Sequence, residues 1–260
     1  MKLNYQKFGE TGPVIVIVHG LFGSIANWRA VARELEKDFC VYVVDQRNHG
    51  ETGYADSMTY FDMAADLDEF INTHELENFI LCGHSMGGKA VMTYALSDFA
   101  SKEELKSIMV LDIAPVVYTH SHAPYLESMM EVDLQSIQSR SEADKQLKEV
   151  ITDNATRLFL MQSLEREGDS FRWKLNLSVL KNDMPNIVGF PVAELSKKSS
   201  LIPALFLHGS LSNYVTSDMH VNIERLFPKA EFDSVETGHW LHVEKRSEVI
   251  DSIRSFQAKL

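Results

Sequence analysis

The sequence of 260 residues is poor in cysteine and in basic residues. Its two cysteines, Cys40 and Cys82, lie at strand-like segments without paired metal-ligand spacing, so we predict two small buried side chains rather than a disulfide or a metal site. Lysine and arginine total 25 against 37 aspartates and glutamates, which gives a formal net charge of -12. Because nucleic acids and anionic membranes are bound by clustered basic residues, this balance argues against both as partners, and we expect neither.

The sequence also lacks a long apolar run. Residues 1–8 contain no apolar core of a secretory signal, and no later run approaches the ~20 apolar residues that a transmembrane helix requires. These absences predict a cytoplasmic protein without a membrane span. Hydrophobic residues make up 45% of the chain and charged residues 24%, a balance typical of a folded globular domain.

Apolar β-branched runs alternate with amphipathic patterns along most of the chain. The run at 14–18 is typical of a strand that is buried on both faces of a parallel sheet. Similar strand patterns occur at 41–45, 79–82, 108–112 and 204–208, and helical patterns occur at 27–39, 60–74, 86–96, 217–227 and 244–257. The alternation predicts an α/β fold with a mostly parallel, doubly wound sheet, whose ligands bind at the carboxyl ends of the strands.

The alternation stops between residues 117 and 200. This stretch has no strong strand pattern, whereas helical patterns occur at 142–147 and 155–164. We therefore predict a core formed by residues 1–116 and 201–260, and an inserted helical cap formed by residues 117–200.

A G-x-S-x-G motif is centred on Ser85. It reads Gly-His-Ser-Met-Gly-Gly at 83–88, directly after a predicted strand and before a predicted helix. In this context the glycines permit a sharp strand-to-helix turn that exposes the serine hydroxyl. Because strand and helix flank the motif as its function requires, we interpret Ser85 as a nucleophile rather than as an incidental serine in a turn.

A serine nucleophile needs a base that takes its proton, and His239 is the best candidate. It lies in Thr-Gly-His-Trp at 237–240, after a strand-like segment and before the last predicted helix, so a loop can bring it over Ser85. The other late histidines, His208 and His242, are interpreted as structural.

The acid that orients His239 is less evident. The loop after the strand at 204–208 is the usual place for it, but this loop contains Asn213 and no aspartate before residue 218. A neutral amide cannot stabilise an imidazolium, and an Asp-to-Asn change in a comparable triad costs ~10,000-fold in rate. We therefore predict that the acid is Asp112, which lies at the end of the strand next to the nucleophile strand. Asp218 and Glu236 are the alternative acids. If Asp112 is not catalytic, its side chain is expected to cap a helix or turn beside Pro115.

Two backbone amides are predicted to stabilise the oxyanion. One is the amide of Met86, which follows the nucleophile. The other comes from the His-Gly-Leu-Phe-Gly loop at 19–23, from Leu21 or, as the alternative, from Phe22. His19 in the same loop is interpreted as structural.

These motifs together resemble the α/β-hydrolase superfamily, and in particular its small bacterial esterases. The resemblance covers nearly the whole chain and is carried by residues 19–24, 45–50, 83–88, 111–115 and, in the predicted cap, Phe-Arg-Trp-Lys-Leu-Asn at 171–176. It implies hydrolysis of short or medium acyl esters, extending to acyl-CoA thioesters, without a cofactor. It also implies an acid after the sixth strand of the family's sheet, a position that falls on Asp112.

We predict that Phe22, His84 and Trp173 contact a small-molecule ester or thioester substrate. No metal or cofactor is expected, because His120 and His122 without a nearby carboxylate or cysteine fall short of a closed metal site and suit a solvated hinge better. The leading hypothesis is a serine esterase or thioesterase that works through an acyl-enzyme. The alternative is a hydrolase-like sensor or signalling protein with little turnover, since one fold hosts many functions.

Overall fold

A seven-stranded sheet forms the centre of the computed structural model, which describes residues 1–99 and 104–260. Its strands are β1 Tyr5–Phe8, β2 Val14–Val18, β3 Cys40–Val44, β4 Phe79–His84, β5 Leu105–Leu111, β8 Ala204–Gly209 and β9 Ala230–Val235. A separate antiparallel hairpin contains β6 Leu164–Glu167 and β7 Ser170–Trp173.

The large sheet has the order β1-β3-β2-β4-β5-β8-β9. Every pair of neighbours is parallel except β1 and β3. Side chains of β2 alternate between two buried clusters, with Val16 and Val18 on one face of the sheet and Ile15 and Ile17 on the other. The predicted mostly parallel, doubly wound sheet is therefore confirmed.

Helices cover both faces of this sheet. The core helices are α1 Ile25–Leu35, α2 Tyr60–Thr73, α3 Met86–Leu96, α10 His220–Leu226, α11 Leu241–Glu244 and α12 Arg246–Gln257. Helices α1 and α12 bury their apolar residues against one face, and α2, α3 and α10 bury theirs against the other. The single helix predicted over 244–257 is wrong at its start, because α11 ends at Glu244 and α12 begins at Arg246, after the non-helical Lys245 with a φ of -133° and a ψ of 50°.

Residues 117–200, which we call the inserted segment, lie between β5 and β8. Its helices are α4 Ala123–Glu131, α5 Arg140–Leu147, α6 Asn154–Leu160, α7 Leu177–Asn182, α8 Met184–Val188 and α9 Val192–Leu195. The segment also contains the hairpin of β6 and β7, two short strands that its sequence pattern does not indicate. Gly168, with a φ of 62°, lies between the two strands. The helix predicted over 155–164 ends at Leu160, since β6 begins at Leu164.

The carboxyl ends of the parallel strands meet at one edge of the sheet, and the inserted segment leaves the core there. Ser85 follows β4, and Asp112 follows the neighbouring strand β5. Within residues 1–99 and 104–260, no helix combines the length and the apolar character needed to cross a bilayer. Cys40 and Cys82 are both buried free thiols.

Candidate active site

Ser85 lies in a strained turn between β4 and α3. Its backbone has a φ of 53° and a ψ of -121°, a conformation that L-residues other than glycine rarely adopt. Its amide donates a hydrogen bond of 2.9 Å to the carbonyl of Leu111 on the neighbouring strand. The turn therefore holds the serine at the carboxyl edge of the sheet, as the G-x-S-x-G motif predicts.

The glycines of the motif are needed because the turn packs against backbone. A Cβ atom on Gly83 would lie 2.3 Å from the carbonyl oxygen of Gly87. A Cβ atom on Gly87 would lie 2.3 Å from the carbonyl oxygen of Val18 on β2. Neither neighbour is a flexible side chain that can move away, so side chains at these two positions would displace α3 and the serine with it.

The structure brings the three predicted catalytic residues into one hydrogen-bonded chain. His239 Nε2 lies 3.0 Å from Ser85 Oγ, and His239 Nδ1 lies 2.7 Å from Asp112 Oδ2. Asp112 is fully buried, whereas the His239 side chain is 24% exposed. With Nδ1 donating to the carboxylate, Nε2 is left to accept the proton of the serine hydroxyl.

The Asp112 carboxylate is fixed by donors besides His239. Its Oδ1 accepts a hydrogen bond of 3.0 Å from the amide of Gly209, and its Oδ2 accepts one of 2.6 Å from Ser212 Oγ. Both donors come from β8 and the loop that follows it. The loop that lacks the usual aspartate therefore supplies donors to a carboxylate from the next strand.

Among the described residues, neither alternative acid forms a hydrogen bond or an ion pair with His239. Asn213 and Glu236 are exposed, and Asp218 accepts a hydrogen bond of 2.5 Å from Thr216 Oγ1 at the surface. The geometry thus groups Asp112, and neither Asp218 nor Glu236, with His239.

Two further side chains hold the His239 loop. The ring of Tyr214 stacks on the His239 imidazole at 3.9 Å between centroids and 19° between planes. His84 Nε2 lies 2.9 Å from the carbonyl oxygen of His239 and donates to it. Burial lowers the pKa of His84 well below its usual range, so this histidine is neutral. The Tyr214 contact is not encoded by any local motif, and only the position of Tyr214 beside Asn213 points to it.

The two predicted oxyanion donors lie next to Ser85. Met86 is the first residue of α3, so its amide has no acceptor within the helix and is at the positive end of the helix dipole. Leu21 lines the space beside Ser85 in the loop after β2. The alternative donor, the amide of Phe22, donates instead to His49 Nε2 at 3.2 Å. Burial lowers the pKa of His49 to about 3, which keeps this nitrogen free to accept.

A pocket of about 290 Å³ opens beside Ser85 and His239. Phe22 and His84 line it, together with Trp28, Trp240 and residues of the inserted segment. Among the described residues that line it, none is lysine, arginine, aspartate or glutamate, so the walls are neutral and largely apolar. The segment's share of the wall consists of His122, Tyr125, Thr156, Phe159 and Leu160.

Trp173 and His122 do not lie where the sequence predicts, which is at the substrate for Trp173 and in a solvated hinge for His122. Trp173 is not among the residues that line this pocket, because its indole is buried in the inserted segment and donates a 2.9 Å hydrogen bond to the carbonyl of Met129. His122 does line the pocket, and burial lowers its pKa to about 4, whereas His120 is exposed. Over residues 1–99 and 104–260, no group of three or more His, Cys, Asp or Glu side chains is arranged to hold a metal ion.

Comparisons with known proteins agree with this geometry. A family model described as alpha/beta hydrolase fold matches residues 13–246. The chain is 35% identical to the sn-1-specific diacylglycerol lipase ABHD11 of Danio rerio, over 98% of this chain and 82% of that protein. It is 34% identical to the esterase YbfF of Escherichia coli, over 93% of this chain and 92% of the relative.

The chain also resembles a solved structure described as a marine microorganism esterase. That chain is 36% identical, with a TM-score of 0.93 over 98% of this chain and 99% of the other. The predicted resemblance to small bacterial esterases such as YbfF is confirmed. The sequence therefore belongs to the α/β-hydrolase superfamily.

Proposed function

We propose that this protein is a serine-dependent carboxylic ester hydrolase that works through an acyl-enzyme. The observation that carries the proposal is the continuous chain of hydrogen bonds from Ser85 Oγ through His239 to Asp112, at 3.0 and 2.7 Å. Relatives that cover most of the chain are named as an esterase and as a diacylglycerol lipase, which supports ester hydrolysis here.

The first half-reaction forms a covalent ester with the enzyme. Ser85 Oγ attacks the substrate carbonyl carbon while its proton passes to His239 Nε2, and the carbonyl oxygen becomes an oxyanion that the amides of Leu21 and Met86 stabilise. Collapse of this intermediate breaks the bond to the leaving alcohol, which takes the proton from His239. Asp112 stays ionised throughout and holds the imidazolium in place.

The second half-reaction repeats these steps with water. His239 takes a proton from a water molecule, whose oxygen attacks the acyl carbon, and Ser85 Oγ leaves with the proton that His239 returns. Each oxyanion donor is worth ~3 to 4 kcal/mol of transition-state stabilisation. The Asp112 carboxylate contributes further, because it is itself fully buried and its attraction to the imidazolium is only weakly screened by water.

The size and the uncharged walls of the pocket favour binding of a neutral acyl group. Its volume of about 290 Å³ lies at the lower end of the ~300 to 1,000 Å³ range of small-molecule pockets, which suits a short or medium chain. Its uncharged walls favour neutral esters over substrates that place phosphate groups inside the pocket. Acyl thioesters undergo the same chemistry at Ser85, but the phosphates of an acyl-CoA would have to lie outside this space.

A labelling and turnover experiment tests the proposal. The protein is treated with a fluorophosphonate probe and is assayed in parallel with p-nitrophenyl acetate, butyrate and octanoate and with the matching acyl-CoA esters. We expect stoichiometric labelling, many turnovers per site on the p-nitrophenyl esters and weaker turnover on acyl-CoA. Ser85→Ala should abolish labelling and lower kcat by about 10⁵-fold to 10⁶-fold.

The same assay separates the enzyme from a small-molecule sensor. A sensor would show a raised Tm with a ligand and no multiple turnover on any member of the panel. Unchanged turnover in Ser85→Ala would rule out the proposed nucleophile.

A further inference from the structure

Lys89 is a buried lysine one helical turn beyond the nucleophile. It lies on α3 directly after the Gly-Gly pair of the serine motif, and its amide donates to the carbonyl of Ser85 at 3.2 Å. Only 1% of the residue is exposed, although lysine is almost never fully buried unless it is paired. In the part of the chain that the structure describes, no carboxylate forms an ion pair with it, and none of the catalytic steps above uses it.

The Lys89 ammonium is satisfied by backbone carbonyls instead. Nζ donates to the carbonyl of Val116 at 3.0 Å, to that of Val188 at 2.9 Å and to that of Gly189. Nζ also lies 4.6 Å from the centre of the Tyr118 ring, within the range of a cation–π contact. An ammonium has three N–H donors and a neutral amine has two, so three acceptors match the charged form.

These carbonyls belong to two separate passages of the chain. Val116 immediately precedes the inserted segment, whereas Val188 and Gly189 lie at the end of α8, near the point where the segment returns to the core. The two passages are also joined directly, because the amide of Tyr118 donates to the carbonyl of Val188 at 3.0 Å. Lys89 therefore connects both passages to the helix that begins at the catalytic turn.

We propose that Lys89 is a positioning residue whose ammonium fastens residues 116–118 and 187–189 to α3 and thereby holds the inserted segment over Ser85. The inference rests on the proposed ester hydrolase function and adds to it a determinant of acyl-chain selectivity. Phe159 and Leu160, which line the pocket, belong to the segment that Lys89 holds. A long acyl chain contacts these walls and an acetyl group does not, so a loosened segment should penalise long chains selectively.

The charge of Lys89 is expected to change near neutral pH. Burial lowers its pKa to about 7, so the ammonium prevails below that pH and the amine above it. The titratable groups that face it are Tyr60, Tyr118, His120, His122 and Tyr214.

The pKa values of these neighbours are shifted away from that of Lys89. Burial raises the pKa of each of the three tyrosines and lowers that of both histidines. At low pH the Lys89 ammonium therefore donates to all three carbonyls. As the pH rises through its pKa, Lys89 loses its charge and one of these hydrogen bonds.

The first test compares Lys89→Met with Thr93→Val. Thr93 is a buried residue one turn further along α3 whose hydroxyl has no partner among the described residues, so its substitution is a matched control. The readout is the ratio of kcat/KM for p-nitrophenyl octanoate to that for p-nitrophenyl acetate, with active sites counted by fluorophosphonate labelling. We expect this ratio to fall about tenfold or more in Lys89→Met and to stay unchanged in Thr93→Val, because small displacements of a positioning element carry such costs.

A general loss of stability would lower both rates equally and leave the ratio unchanged. An unchanged ratio in folded, labelled Lys89→Met would therefore overturn the proposal.

The second test follows the same ratio with pH and does not require the methionine variant to fold. In the wild-type protein the ratio should fall between about pH 6 and 9, whereas in Lys89→Arg it should stay flat, since a guanidinium does not titrate in this range. A pH effect on the catalytic steps that both esters share cancels in the ratio. A flat wild-type ratio, or an equal fall in Lys89→Arg, would overturn the role of the ammonium.

Hydrogen–deuterium exchange gives a readout that is independent of ester hydrolysis. Peptides that cover residues 116–118 and 187–189 should exchange faster at pH 9 than at pH 6, after correction for the intrinsic rate, and Thr93→Val should match the wild type. If the wild type hydrolyses no ester but shows this exchange difference, the proposed function fails and the fastening stands. If esters are hydrolysed and exchange shows no difference, the fastening fails alone.

Discussion

The carboxyl edge of the sheet and the inserted segment contribute to one pocket in different ways. At the sheet edge, Ser85, Asp112 and His239 are joined by hydrogen bonds, and all of them follow strands of the core. The segment supplies walls such as Phe159 and Leu160, which make apolar contact with the space beside Ser85. For the proposed hydrolase we expect the core to determine the chemical step and the segment to adjust the range of substrates, so substitutions in the two regions should change different kinetic constants.

The largest effect should come from the acid at the sheet edge. Asp112→Asn keeps the shape of the side chain but removes the charge that holds the His239 tautomer, and kcat should fall ~10⁴-fold. The matched control is Asn213→Asp, which adds a carboxylate in the loop where an acid is usual but where the side chain is exposed. Its kcat on p-nitrophenyl acetate should stay within about twofold of wild type. Retained turnover in Asp112→Asn would place the acid elsewhere.

Buried charge should distinguish the two regions in stability as well. In the core, Asp66 accepts hydrogen bonds of 2.6 and 2.8 Å from Arg47, and its side chain is 3% exposed. Asp66→Asn removes a buried carboxylate that pairs with both Arg47 and the amino terminus, and it leaves Arg47 with Asp62 alone, 3.4 Å from Nη1. It should therefore lower the free energy of unfolding by about 3 kcal/mol in urea titrations.

The comparison variant lies in the inserted segment. Asp144 pairs with Arg157 at 3.0 Å, but its side chain is 35% exposed, and Arg157 also donates to the carbonyls of Ile151 and Thr152. Asp144→Asn should therefore lower the free energy of unfolding by about 1 kcal/mol or less. Equal losses in the two variants would contradict the contrast between the regions.

The smallest effect on catalysis should come from a wall residue. Phe159→Ala removes apolar surface from the pocket and should lower kcat/KM for p-nitrophenyl octanoate about tenfold, while p-nitrophenyl acetate changes little. Leu158→Ala is the matched control, because its side chain on the same helix is 58% exposed and does not line the pocket. A comparable loss on acetate would show that the segment also acts on the chemical step.

The sheet edge could be predicted from sequence because its signals are local. A buried strand followed by Gly-His-Ser-Met-Gly-Gly fixes the turn at Ser85, since glycine is required wherever backbone approaches backbone. The place of Asp112 followed from the end of the adjacent strand and the missing aspartate near Asn213. In both cases a few consecutive residues determine the backbone, and the parallel sheet brings the strand ends together.

The inserted segment was predicted less well because its structure depends on distant contacts. Trp173 was expected at the substrate, but the hairpin of β6 and β7 directs its indole to the carbonyl of Met129, 44 residues away. The three acceptors of Lys89 are likewise backbone atoms up to 100 residues away, which no side-chain pattern reveals. Short helices that are stabilised by tertiary packing carry weak periodicity, so their ends and partners are set by the fold.

The left-handed turn at Ser85 serves the proposed activity but lowers the stability of the fold. A φ of 53° on a residue with a Cβ costs roughly 1 to 3 kcal/mol, which the rest of the molecule must offset. Glycine would adopt this conformation without strain, so the protein would gain thermal resistance by discarding its own nucleophile. If variants were selected for heat tolerance alone, without a requirement for activity, we would therefore expect Ser85→Gly to be among the first substitutions.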